Sequence, residues 1–188
     1  MDFWQIILVL VVGFVAGIIN VMAGGGSLLT MPLLIFLGLD STMANGTNRI
    51  AILFQNATAI GGYQSKGQSP GSFGIYLGIA ALFGAIIGSK IALEIPDGIF
   101  NKILAIVMVL VVLMTLINPS LKLKDGEELI LRLGKKHKIM AVIALFLVGI
   151  YGGFIQAGTG LFIMAALSFI NRYTLLQANV AKATIMFI

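Results

Sequence analysis

The sequence predicts an all-α polytopic membrane protein made of two inverted repeats, each opening on a glycine-broken helix hairpin, with the second repeat truncated. Three observations carry this prediction. The composition is too apolar for water, the apolar residues fall into blocks of membrane-spanning length, and a glycine break recurs with the same downstream asparagine at a fixed offset.

Of the 188 residues, 59% are hydrophobic and only 10% are charged, and the mean hydropathy is +1.07. Soluble domains are about 45–50% apolar and about 25% charged. A soluble fold of this size could not hide so much apolar surface, so lipid is the expected solvent.

The net charge of +5 does not point to nucleic acid. Six basic residues (Lys122, Lys124, Arg132, Lys135, Lys136 and Lys138) share one loop, the pattern of cytoplasmic loops under the positive-inside rule. The absence of Cys excludes disulfides and thiolate metal sites, and the single His137, in that basic loop, makes no metal set. No cofactor is expected. The N-terminus lacks the basic region and small-residue cleavage site of a signal peptide, so it reads as a retained membrane segment.

A span needs about 20 apolar residues. Trp4–Ala23 supplies one, ended by Gly24, Gly25 and Gly26. Ser27–Leu37 is a half-length apolar piece containing Pro32, followed by a turn over Gly38–Thr42. Met43–Tyr63 is a helix with several polar residues. Phe73–Leu93 and Ile99–Ile117 are spans, the latter the cleanest. The connector Asn118–Lys138 follows, and its stretch Glu127–Leu133 alternates charge with leucine and isoleucine as a surface-lying segment does. Met140–Ile155 returns to the membrane, Gly158-Thr159-Gly160 breaks it, Leu161–Ile170 is again short, and Leu175–Ile188 begins another helix. The division is therefore 1–117, first transmembrane repeat; 118–138, basic cytoplasmic loop; and 139–188, start of an incomplete second repeat.

A shift of 134 residues aligns Ala23-Gly24-Gly25-Gly26 with Ala157-Gly158-Thr159-Gly160, Leu33 with Leu167, and Ala44-Asn45 with Ala178-Asn179. The last four residues, Ile185-Met186-Phe187-Ile188, carry no cap or polar end. The repeat leads to the expectation that counterparts of Gln55 to Ile117 are missing and that the chain is a fragment. If the pieces on either side of the first break form a hairpin, the first repeat crosses the membrane an odd number of times and the second is inverted. One continuous crossing would make the repeats parallel. The length of Trp4–Ala23 favours the hairpin. Lys66 and the long basic loop fall on one side, read as cytoplasmic, which places the N-terminus outside.

Broken segments leave backbone groups unpaired at membrane depth, which is tolerated only against protein or a watery cavity. Paired breaks are the best sequence pointer to a transporter's binding site. Gly24, Gly25 and Gly26 read either as a ligand cradle, with Ser27 capping a half-helix whose dipole favours an anion, or as close helix packing. Gly74-x-x-x-Gly78 and Gly84-x-x-x-Gly88 read as packing alone. On a helical wheel Asn45, Asn48, Arg49 and Asn56 form one stripe with Gln55 beside it, while Ile50, Leu53 and Phe54 cover other faces. Such a stripe suits a cavity, where amides donate to oxyanions and Arg forks onto one; the competing reading for Arg49 is snorkelling.

The second half offers Gln156, Gly158, Thr159, Gly160, Asn179 and Lys182. Lys182 aligns with Asn48, so each half brings one cation to similar depth, with the same snorkelling alternative. Asn20, a turn before the glycines, either joins the site or satisfies freed backbone groups. Enzyme signatures are poor: there are no paired carboxylates, no Ser–His pair in the membrane, and no phosphate-loop Lys after Gly-Thr-Gly.

Gly17 through Pro32-Leu33, with Ala23-Gly24-Gly25-Gly26-Ser27, resembles the first signature of the TauE/SafE sulfite-exporter family, also called the four-toluene-sulfonate-uptake-permease group. Gly46-Thr47-Asn48-Arg49 resembles its next signature, and Gly152-Gly153 through Gly160, then Asn179–Ala183, resembles the second copy. The second copy departs from the first at Thr159 (against Gly25) and at Ala166 (against Pro32). The resemblance implies an inverted duplication and movement of a small anion such as sulfite, a sulfonate or a short carbon acid. The expected function is an alternating-access permease of a bacterial or archaeal inner membrane, with the bilayer, a small anion and a coupling proton or ion as partners, and a homo-oligomer as a possible assembly. The alternative is a non-transporting membrane scaffold held by glycine packing.

Overall fold

A computed structural model describes residues 2–117 and 131–188, side chains at 114–117 excepted. Most of the 118–138 connector, and with it the greater part of the surface-lying stretch Glu127–Leu133, lies outside the described residues. The described chain is helical, in the order α1 Phe3–Ala23, α2 Ser27–Phe36, α3 Ser41–Gln64, α4 Gly71–Glu94, α5 Asp97–Ile117, α6 Lys135–Phe154, α7 Thr159–Asn171 and α8 Leu175–Phe187. Three of these, α1, α4 and α6, are long and apolar enough to cross a membrane on length and composition among the described residues. Their large outward side chains, among them Phe14, Phe83 and Leu147, are exposed, as lipid-facing residues must be where hydrocarbon is the solvent.

The tightest packing is between α4 and α6. A Cβ built on Gly84 would run into the Phe146 carbonyl and lie 2.8 Å from Ile150 N; one on Gly88 would meet the Ile150 carbonyl and Phe154 N. In return, Cβ atoms on Gly149 and Gly153 would strike the Ala81 and Ala85 carbonyls. Two small-xxx-small faces therefore meet backbone to backbone, which gains van der Waals contact that lipid cannot match. The packing role read for Gly84 and Gly88 holds, and its partner face on α6 was not singled out in the sequence. Gly74 and Gly78 are also pressed, against Pro70 and Ile188.

Apolar side chains fill two clusters. One joins Leu77 of α4, Leu145 of α6, Ile163 and Leu167 of α7, and Ala178 and Ile185 of α8. The other joins Met31 of α2, Ala92 of α4, Phe100 and Leu104 of α5, and Ile155 and Ala157 after α6.

The 134-residue offset reappears in backbone geometry. α3 starts at Ser41 and α8 at Leu175. Gly24 and Gly158 are both left-handed, at φ 79° and 74°. Gly38 is left-handed at φ 95°, and its counterpart Arg172 is left-handed at φ 55° although it carries a side chain. The second half thus keeps the turn where it has lost the glycine that makes the turn cheap.

Candidate functional site

The two glycine breaks meet. A Cβ on Gly24 would stand 2.5 Å from the carbonyl carbon of Gly160, and one on Gly160 would stand 2.5 Å from the Gly24 Cα. Glycine is required at both positions by this approach, and at Gly24 also by its left-handed φ. Gly26 is closed in against the Ala16 carbonyl of its own hairpin, whereas a Cβ on Gly25 would make ordinary contact with the Leu161 side chain at 3.6 Å.

Ser27 ties the breaks together. The sequence suggested that it caps its own half-helix, but Gly26 occupies the cap position without a side-chain bond and Ser27 is the first helical residue. Its hydroxyl donates to the Gln156 carbonyl (3.3 Å) and accepts from the Gly158 N–H (3.2 Å). The correction has a simple cause: the other break lies so close that its unpaired backbone groups are the nearer partners.

The third helix of each half holds the end of the first helix of the other. From α3, Asn45 Nδ2 donates to the Phe154 carbonyl (3.0 Å) while its Oδ1 accepts from Gln156 N (3.2 Å). Arg49 Nη2 donates to the Gly153 carbonyl and to that of Gly152 (3.4 Å). From α8, Lys182 Nζ donates to the carbonyls of Asn20 and Val21 and to Asn179 Oδ1, all at 2.8 Å. Last-turn carbonyls are short of intrahelical partners and carry the negative end of the helix dipole, so cations and amide donors are the groups they favour. Asn20 and Phe154 are themselves 134 positions apart, so equivalent carbonyls are served from opposite halves.

The polar stripe on α3 faces inward as its wheel predicts. Asn45, Asn48 and Asn56 are buried, while Ile50, Leu53 and Phe54 are exposed. The stripe does not converge on one point. Asn48 Oδ1 accepts from Thr30 Oγ1 (2.6 Å), Asn56 Nδ2 donates to the Ile52 carbonyl of its own helix (2.8 Å), and Gln55 Oε1 accepts from Asn20 Nδ2 (2.9 Å).

A cavity of about 340 Å³ opens beside Arg49, between α3, α4, α6, α7 and α8. Of the residues singled out from sequence, Arg49, Gln156 and Thr159 line it; the rest of the wall includes Gly152, Gly153, Ala81, Ala85 and Ile163. Two buried polar atoms on this wall have no hydrogen-bond partner, Arg49 Nε and Gln156 Oε1. Thr159 Oγ1 is occupied with the Gln156 carbonyl (3.0 Å). Gly24, Gly25, Gly26, Ser27, Asn45, Asn48, Asn56, Gly158, Gly160, Asn179 and Lys182 do not line it. Lys182 was expected to point into a cavity between the halves; it is instead fully buried against the α1 terminus. The carbonyls of Gly152 and Gly153, which draw Arg49 to the wall, were missed, because backbone acceptors carry no sequence signal beyond the glycines themselves.

No group of three or more His, Cys, Asp or Glu side chains suited to a metal occurs among the described residues.

No solved structure matches the chain significantly. Curated relatives do. The chain is 27% identical over 174 residues to "Probable membrane transporter protein ORF9" of Sinorhizobium sp, covering 93% of this chain and 63% of the relative. It is 29% identical to a "Probable membrane transporter protein" of Haemophilus influenzae, covering 92% and 64%, and 31% identical to "Probable membrane transporter protein YfcA" of Escherichia coli K12, covering 92% and 61%. The chain therefore spans less than two thirds of the length of these relatives. The profile of the family described as "Sulfite exporter TauE/SafE" matches residues 9–188. With apolar helices, meeting glycine breaks and this match over nearly its whole length, the chain is a multi-pass membrane protein of a transporter family, not of an enzyme family. It belongs to the TauE/SafE sulfite exporter family.

Proposed function

We propose that this chain forms part of an inner-membrane permease that moves a small anion (sulfite, an organosulfonate or a short carboxylate) by alternating access. The single observation that carries the reading is Arg49. The residue lines the cavity, its Nε is buried without a partner, and its Nη2 is held by the Gly152 and Gly153 carbonyls. A guanidinium anchored at one edge keeps its remaining donors in a fixed plane, the geometry that oxyanions accept. Gln156, also on the wall, can turn its amide to present donor or acceptor. The largely apolar remainder lowers the local dielectric and strengthens the attraction.

The two halves act in this reading as inverted repeats. Paired broken helices at matching positions are the architecture in which one half rocks against the other about a central site, and the reciprocal capping of α1 by α8 and of α6 by α3 supports it. The basic 118–138 connector is placed in the cytoplasm with the N-terminus outside. The cradle read from sequence, Gly24, Gly25 and Gly26 with Ser27, belongs to the same proposal, as backbone that an anion reaches when the breaks part.

The test is a thermal-shift screen of the intact protein in detergent with sulfite, taurine, sulfoacetate, acetate and lactate. A ligand that binds the folded state adds RT ln(1 + [L]/Kd), about 2.7 kcal/mol at 100 times Kd. One or more anions should raise the melting temperature of the wild type. A flat response to all five, together with no uptake of radiolabelled sulfite into proteoliposomes, would overturn the anion reading and leave a scaffold held by glycine packing.

A further inference from the structure

Lys182 sits in an arrangement the anion site does not use. The residue is 1% exposed and its ammonium is ringed by three neutral oxygens, Asn20 O, Val21 O and Asn179 Oδ1, each 2.8 Å from Nζ. The helices packed against α8 are α1, α3, α4 and α7. Their titratable side chains are Arg49 and Tyr63 on α3 and Tyr76, Lys90 and Glu94 on α4, with none on α1 or α7. Glu94, the one carboxylate among them, is exposed at the last residue of α4 and makes no bond to Lys182. A positive group is therefore buried among described residues with dipoles alone to balance it.

We propose that Asn20 O, Val21 O and Asn179 Oδ1 form a monovalent-cation site whose resident cation is the Lys182 ammonium, and that the proton Lys182 carries couples transport. The chemistry of the oxygens selects the class. Two are last-turn carbonyls at the negative end of α1, and the third is an amide; a divalent ion would call for carboxylates. Carbonyls freed at broken helix ends are the usual ligands of coupling ions in transporters built from such repeats. Three donors on an ammonium match three acceptors. A neutral amine has two N–H groups and a lone pair, so losing the proton leaves one of the three oxygens without its Lys182 donor and facing that lone pair. Asn20 already carries a buried Oδ1 with no partner, so the same turn has no spare donor to offer. The carbonyl of Asn20 also accepts from Gly24 N (2.8 Å), the residue pressed against Gly160. The protonation state of Lys182 is thereby linked to the contact between the two breaks.

The cation site stands on its own geometry; the coupling role rests on the transport reading above, and the experiment separates them. In detergent, the intact protein carrying Lys182→Ala should melt below wild type and recover part of the loss with methylammonium or sodium, but not with choline, which is too bulky. Wild type should respond to none of the three. A folded Lys182→Ala protein indifferent to all three cations would overturn the site. Should Lys182→Ala fail to fold, Asn179→Asp and Asn179→Leu decide: Asp should hold the melting temperature several degrees above that of Leu, and equal losses would overturn the site. For coupling, Lys182→Arg keeps the charge without a releasable proton. In proteoliposomes its pH-driven accumulation of radiolabelled sulfite, relative to its sulfite exchange, should fall several-fold. An unchanged ratio, or loss of exchange as well, would overturn the coupling role. If wild type moves no sulfite, the anion reading and the coupling role fall together, and the melting temperatures still decide the cation site.

Discussion

Gly24 and Gly160, one from each break, pack so closely that a methyl group on either would overlap the backbone of the other. Gly24 also has φ 79°. Gly24→Ala should therefore cost about 1–2 kcal/mol for the left-handed backbone and a further ~1–3 kcal/mol for overpacking. Gly25→Ala meets only side-chain carbons of Leu161 and Leu28, at 3.6 and 3.8 Å, and should leave the melting temperature nearly unchanged. Comparing melting curves of the two variants checks this, and a larger loss for Gly25→Ala would contradict it. If Gly25 contributes to an anion cradle, Gly25→Ala should lose the anion-dependent shift while remaining folded.

The α4–α6 crossing predicts a second contrast. Gly84→Ala and Gly149→Ala each push a methyl group into a facing carbonyl, those of Phe146 and Ala81. Each should destabilise by about 1–3 kcal/mol. Gly46 lies on α3, and a methyl group added there would find nothing within 4 Å. Gly46→Ala should be neutral or stabilising by up to about 1 kcal/mol from helix propensity. Unfolding of the three variants in mixed detergent orders them. Equal stability of Gly84→Ala and Gly46→Ala would mean that α4 and α6 do not cross this closely.

Arg172 predicts a gain. It is exposed, ends α7 in the left-handed region at φ 55°, and stands where the first half has Gly38. Its side chain makes the conformation costly by about 1–2 kcal/mol, partly offset in a glycine variant by the greater freedom of the unfolded chain. Arg172→Gly should raise stability by roughly 0.5–1 kcal/mol. A lower melting temperature would show that the guanidinium makes a stabilising contact of its own.

Hydropathy and glycine placement made the helices legible. Seven of the eight start within a few residues of the expected positions, and α6 begins at Lys135, five residues before Met140. Its first turn is basic, and hydropathy alone does not separate a basic first turn from a loop. The 134-residue offset was legible because Gly24 and Gly158 need the same left-handed turn. Partners were not legible. The helical wheel gives a residue's direction from its own axis, so it placed Asn45, Asn48 and Asn56 inward without saying that they reach Phe154, Thr30 and Ile52. For Lys182 depth was readable, but its destination on α1 is a tertiary fact. Ser27 looked like a cap because Ser often is one; only the nearness of Gly158 redirects it. Gly149 and Gly153 carried the small-xxx-small spacing openly and could have been found by the pattern already applied to α4.

Arg49 gives the last prediction. Its guanidinium turns into the protein, to the Gly152 and Gly153 carbonyls, its Nε is buried and unpaired, and the residue lines the cavity. The proposed function superimposes a second role, a donor toward the cavity, on the anchor for the end of α6, and substitutions separate the two. Arg49→Gln removes the charge and the fork. It should lower the melting temperature without ligand, by about 1–3 kcal/mol for buried carbonyls left short of donors, and should also weaken anion binding. Hydrogen bonds to charged groups contribute about 1.5–3 kcal/mol, which sets the expected loss at roughly 10- to 150-fold in Kd at 1.4 kcal/mol per decade. Arg49→Lys restores the charge as a point without the planar fork. It should recover most of the stability, since one ammonium can reach one carbonyl, but only part of the affinity. The measurement is the melting temperature with and without sulfite, or whichever screened anion shifts the wild type. Stability in the absence of anion reads the anchor, and the anion-dependent increment reads the donor. If Arg49→Gln folds and keeps the full increment, Arg49 is an anchor alone, and the anion must be held by Gln156 and the N–H groups at the breaks.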